Sequence, residues 1–209
     1  MLKKFPPAVR AILIANVVMY GIQVFFPSES LTYLELWPPA SDLFRPYQLI
    51  TYAFLHATPL PGHFFNDVNS LHLVMNMFAL WMFGRGLEAV WGPRRFLLYY
   101  FASVLVAGLT QLTVTALAGS GYPTIGASGG VFGVLLAFGL TFPKQRVIVL
   151  IAPYPIPAWL FVTLYGIAEL LMGVFSLQSG VAHFAHLGGM LGGALVIVYW
   201  HVTGQVRMR

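Results

Sequence analysis

The chain has 209 residues, of which 58% are hydrophobic and 8% charged, and its mean hydropathy is +0.79. Soluble domains carry about a quarter charged residues, so this composition excludes an ordinary soluble domain and points to an integral membrane protein. The net charge of +5 would suit a nucleic-acid ligand, but the placement of the basic residues argues against one, and the absence of Cys excludes disulfides and thiolate metal sites.

Crossing the hydrocarbon takes about 20 mostly apolar residues, which allows about six spans joined by short connections. We read them at about 10–26, 72–90, 95–118, 128–142, 156–176 and 182–202. The expectation is an all-α integral membrane protein: one membrane domain over 1–209, a six-helix bundle with a long outer loop between spans one and two. Span one is read as a retained helix, because it contains Asn16 and Gln23 and lacks a small-residue cleavage site.

Ten of the eleven basic residues fall on one side of these spans. They are Lys3, Lys4, Arg10, Arg85, Arg94, Arg95, Lys144, Arg146, Arg207 and Arg209. Arg45 alone lies opposite, in the loop 27–71 with Glu29, Glu35, Asp42 and Asp67. The positive-inside rule then puts both termini in the cytoplasm. The expected location is a bacterial inner membrane, with the lipid bilayer as partner and no nucleic acid.

Span two opens with His72, and Asn76 follows one turn later on the same face. Span four is short: 15 residues rise about 22 Å against a hydrocarbon thickness of about 30 Å. Its first residue, Ser128, and the stretch Gly119 to Ala127 before it would therefore lie below the outer boundary, facing protein or a wet cavity. A serine there is either an N-cap or a nucleophile beside free backbone donors. Span five carries Glu169, read as a hydrogen-bonded carboxyl facing the bundle. Glu88, near Arg85 at the end of span two, is read as an ion-pair or helix-end contact.

His186 lies early in span six, at the depth of Ser128 and His72. Polar groups inside spans are costly and usually functional. Gly129/Gly133 in span four and Gly188/Gly192 and Gly189/Gly193 in span six offer seams for close approach. That approach would bring Ser128 within reach of His186, as a base and a weak hydroxyl nucleophile require.

The elements "LHLVMNM", "GASGG" and "AHFAHLGGMLGG" together resemble the rhomboid family of intramembrane serine proteases. The resemblance runs from about Arg45 to Gly193. It implies Ser128 as nucleophile and His186 as general base, a dyad without an acidic third member. It implies an oxyanion hole of His72, Asn76 and the Ser128 backbone N–H. Phe132 corresponds to an aromatic that packs on the catalytic ring; Gly126 and Phe132 are expected to border the substrate. Phe44-Arg45 resembles the family's Trp-Arg element, with Phe in place of Trp. His56 resembles an upstream family histidine, although "ATPLPGHFFNDVNS" lengthens the interval before His72.

The reading that results is hydrolysis of single-span membrane proteins near the outer end of their spans, with no cofactor and no metal. The alternatives are a catalytically inactive rhomboid-like protein that binds transmembrane helices, and a metal protein using His56, His63, His72, His183 and His186. The latter lacks a His-Glu-x-x-His helix.

Overall fold

The structure is a computed structural model that describes residues 6–58, 68–119, 121–149, 152–175 and 182–205. Lys3, Lys4, His63, Asp67, Arg207, Arg209 and most of the stretch between His56 and His72 lie outside these residues. The long helices are α1 (Pro7–Phe25), α3 (Val68–Trp91), α4 (Pro93–Ala118), α5 (Ser128–Thr141), α6 (Ala158–Val174) and α7 (His183–Val202). They occupy the apolar stretches read from the sequence, with ends displaced by up to a few residues. α1, α4 and α7 are long and apolar enough to cross a membrane, whereas α5 and α6 are shorter apolar helices.

Local chemistry sets several of these ends. Pro7 and Pro93 each stand in the first turn, where a missing N–H costs nothing, and Gly119 closes α4 in the left-handed region at φ 64°. Glu88 of α3 accepts the backbone N–H groups of Ala8 at 2.9 Å and Val9 at 2.8 Å, satisfying two donors at the start of α1. Its carboxylate is thus a helix-end contact. Arg85 instead lies over the Trp81 ring, 4.5 Å from its centroid.

α5 is the central helix. Ten of its residues, from Gly129 to Gly139, are buried, and α3, α4, α6 and α7 pack around it. The outer helices expose apolar side chains such as Ile14, Val17 and Val18 of α1 and Leu191, Leu195 and Val198 of α7. A belt of this kind is stable when lipid covers it. The chain is a membrane protein built of apolar helices.

The glycine seam divides differently from the sequence expectation. Of the α7 glycines, Gly189 meets α5, while Gly188, Gly192 and Gly193 face α4 side chains, among them Thr110, Val106 and Tyr99. The Tyr99 hydroxyl passes over Gly193 and donates to the Gly133 carbonyl at 2.7 Å, joining α4 to α5.

Two features went unread in the sequence. Arg146–Val149 (β1) and Ala152–Pro157 (β2) pair antiparallel between α5 and α6. The segment between α1 and α3 folds into a 3-10 turn at Glu29–Leu34, a short helix α2 (Gln48–Thr51) and a second turn at Tyr52–Phe54. Buried Gln48 organises it, accepting from Trp37 and Arg45 N–H groups and donating to the Tyr33 and Leu43 carbonyls. Arg45 donates to the carbonyls of Asp42 and Phe44.

Candidate active site

The stretch before α5 is held from the side of the α1–α3 segment. Leu36 and Thr124 exchange backbone hydrogen bonds at 3.0 and 2.9 Å, and the Gly126 N–H donates to the Tyr52 carbonyl at 3.0 Å. The Tyr52 hydroxyl in turn donates to the Val104 carbonyl of α4 at 2.8 Å. Gly126 has φ 127°, and a Cβ there would come within 2.9 Å of the His72 ring, so both conformation and space call for glycine.

Ser128 is the first residue of α5. The N-cap is Ala127, with no side-chain capping bond, so the N-cap role open to Ser128 in the sequence is not the one it takes. Its Oγ lies 2.8 Å from His186 Nε2. Phe132, one turn further along α5, stacks on the His186 ring with centroids 4.2 Å apart and planes 7° from parallel. Tyr165 of α6 backs Phe132. Phe132 therefore supports the imidazole from beneath, buried against that ring.

His72 reaches the same place from α3. Its Nδ1 accepts the Ala57 N–H at 3.4 Å, which leaves the proton on Nε2, the atom that faces Gly126. Asn76 donates through Nδ2 to the His72 carbonyl at 2.7 Å, so one of its two amide hydrogens is engaged within α3. His56 is fully buried with its ring 5.1 Å from that of His72. Its backbone and the Gln23 side chain exchange two hydrogen bonds of 3.0 Å, tying the segment to α1. Burial, and then the proximity of His72, push the His56 imidazole down to about 3, against an opposing contribution from the Phe54 backbone.

On the far side of His186 the structure supplies a group that the sequence reading did not pair with it. Glu169 Oε2 lies 2.8 Å from His186 Nδ1 and 2.7 Å from His183 Nδ1. The resemblance implies a dyad without an acidic third member; in this chain a carboxylate lies within hydrogen-bond distance of the His186 ring. One signal was available: a carboxyl in an apolar span needs a partner at its own depth, and His183 and His186 stand one turn apart on one face.

The donor atoms of Glu169, His183 and His186 all lie within 4.8 Å of one another and form the metal-type grouping among the described residues. A tetrahedral zinc would hold its nitrogen and oxygen ligands about 3.3 Å apart. The observed 2.7 and 2.8 Å separations suit protons between the atoms instead. A cavity of about 380 Å³ bordered by Pro38, Ser41 and Thr115 lies apart from Ser128 and contains no titratable side chain.

A family model described as the rhomboid domain matches residues 43–202. The mitochondrial Rhomboid protein 1 of Saccharomyces cerevisiae is 33% identical over 147 residues, covering 69% of this chain and 42% of that protein. The mitochondrial presenilin-associated rhomboid-like protein A of Danio rerio is 28% identical over 66% of this chain and 36% of its own length. Rhomboid protease GluP of Bacillus subtilis is 31% identical over 65% of this chain and 24% of its own. The matched region thus spans less than half of each of these relatives. Mitochondrial and bacterial proteins both occur among them, so they do not favour the bacterial inner membrane expected from the sequence. By the extent of the family match, across the helices that carry Ser128, His72 and His186, the chain belongs to the rhomboid family.

Proposed function

We propose that this chain is an intramembrane serine endopeptidase that cleaves single-span membrane proteins. The observation that carries the reading is the 2.8 Å contact between Ser128 Oγ and His186 Nε2 at the N-terminus of a buried helix. In this reading the six long helices form one rhomboid-like domain in the bilayer. Both termini lie on the side rich in basic residues, and Ser128 opens toward the other side.

His186 Nε2 takes the hydroxyl proton as Ser128 Oγ attacks the scissile carbonyl. The tetrahedral oxyanion forms beside the positive end of α5 and is stabilised by the Ser128 backbone N–H, His72 Nε2–H and the free hydrogen of Asn76. The imidazolium then protonates the departing amine, the C–N bond breaks, and an acyl-serine remains. Water, deprotonated by His186, releases the new carboxyl end. This chemistry calls for neither metal nor cofactor. The substrate helix must unwind first, because its carbonyls are engaged in intrahelical hydrogen bonds.

The reading is tested by treating purified protein with a fluorophosphonate and mapping the adduct by mass spectrometry. Adduct on Ser128, lost in Ser128→Ala and His186→Ala, is the expected outcome. A folded wild type that does not react would point to an inactive helix-binding relative.

A further inference from the structure

Resting on that reading, we propose that Glu169 is the positioning acid of His186. The site is then a Ser128–His186–Glu169 triad, braced by His183, and not a bare dyad.

Glu169 is buried within the otherwise lipid-facing helix α6, most of whose apolar side chains are exposed. Every described Lys and Arg is exposed, so among the described residues no basic side chain neutralises it in the interior. What meets its carboxylate is a pair of imidazoles on one face of α7. The approach is permitted by Gly166 and Gly173, one turn to either side, whose missing side chains leave room for Met190 and for His183 with Phe184.

Three consequences follow from one oxygen lying against two Nδ1 atoms. An ionised carboxylate only accepts hydrogen bonds, so both rings present Nδ1–H to it. A neutral His186 ring that donates through Nδ1 keeps Nε2, which faces Ser128, free to accept, and this is the tautomer a general base requires. The imidazolium that forms during attack would have an anion 2.8 Å from its other nitrogen.

His183 gives Oε2 its second donor and fixes the carboxylate's orientation. Its own Nε2 is buried without a hydrogen-bond partner. A lone pair can be left there at modest cost, so the geometry asks of His183 only the one donor, Nδ1–H. Among the described residues, the other titratable groups near His186 are Tyr165 of α6, behind Phe132, and His72 of α3. α4 offers Thr110 and Ala107 at this seam, and α5 offers Ser128.

A purely structural role, pinning α6 to α7, would be served by size and hydrogen bonding alone. The two roles separate in a comparison of Glu169→Gln with Glu169→Asp, using full-length protein, a fixed single-span substrate and thermal unfolding as the folding control. Gln keeps the shape and loses the charge. It should lower kcat by on the order of a hundred- to ten-thousand-fold with KM nearly unchanged. Asp keeps the charge on a shorter stem and should fall between wild type and Gln.

Gln equal to or better than Asp, or a loss in Gln that falls on KM and not on kcat, would overturn the proposal. Should Gln not fold, Asp decides: a wild-type rate with the carboxylate drawn back by one methylene would overturn it as well. Failure of the serine-protease reading is distinguishable, since wild type itself would then neither cleave nor take the fluorophosphonate.

Discussion

Gly189 of α7 stands directly against the backbone of Gly129 in α5, whose carbonyl occupies the place a Cβ on residue 189 would need. Gly129 directly follows Ser128, and Gly189 lies three residues after His186. The contact therefore sets how close the serine and the imidazole come. A seam that looks like packing is the gauge of the site.

Gly189→Ala should push α7 away from α5, because the obstructing atoms are backbone and cannot rotate aside. A misplacement of about 1 Å at reacting groups costs about a hundredfold in rate. Turnover should fall by that order while unfolding shows a destabilisation of about 1–3 kcal/mol. Wild-type turnover in a folded variant would mean that the seam does not control the Ser128–His186 distance.

Among the oxyanion donors, His72→Ala and Asn76→Ala should each lower kcat, by about a hundred- to a thousand-fold for a fully engaged donor. Asn76 should be the milder of the two, since one of its hydrogens already serves the His72 carbonyl. Steady-state kinetics on matched preparations would decide this, and a larger loss in Asn76→Ala would reverse the ranking.

Glu88→Ala should destabilise the protein by about 1–3 kcal/mol, because two backbone donors at the start of α1 lose their acceptor. Residual turnover, measured well below the unfolding midpoint, should be close to wild type. Loss of activity without loss of stability would give Glu88 a role that its position does not suggest.

His56 should make the fold acid-sensitive. Its imidazole is depressed from the ordinary 6.5 to about 3, so below pH 6.5 the unfolded chain takes up a proton that the folded chain refuses. Stability contributed by neutral His56 is full above the unfolded value and is lost as pH falls from 6.5 toward 3. His56→Gln should flatten the unfolding midpoint over this interval, even if it lowers stability at neutral pH. An unchanged slope would show that His56 is not buried in neutral form.

The helices and the central triplet of His72, Ser128 and His186 were legible in the sequence because each rests on a local signal: an apolar run, a short span, a polar residue at a shared depth. The hairpin was not. The stretch around Pro153, Pro155 and Pro157 reads as a connection, yet a two-stranded pair is all edge and tolerates proline. Gln48 was missed because its four hydrogen bonds go to backbone groups of an irregular segment that has no periodicity. The pairing of Glu169 with His186 joins two helices, and spacing along one chain segment does not report such a contact. The seam glycines were found, but their division between α4 and α5 depends on the rotation of α7, which the pattern of small residues leaves open.

Peptide-bond hydrolysis by Ser128 is measured by reconstituting the full chain in liposomes with a single-span substrate and sequencing the products. The expected products show a cut near the end of the span opposite the basic side, with a loss of about a million-fold in Ser128→Ala and folding intact. Cleavage at an undiminished rate by a pure Ser128→Ala preparation would contradict it.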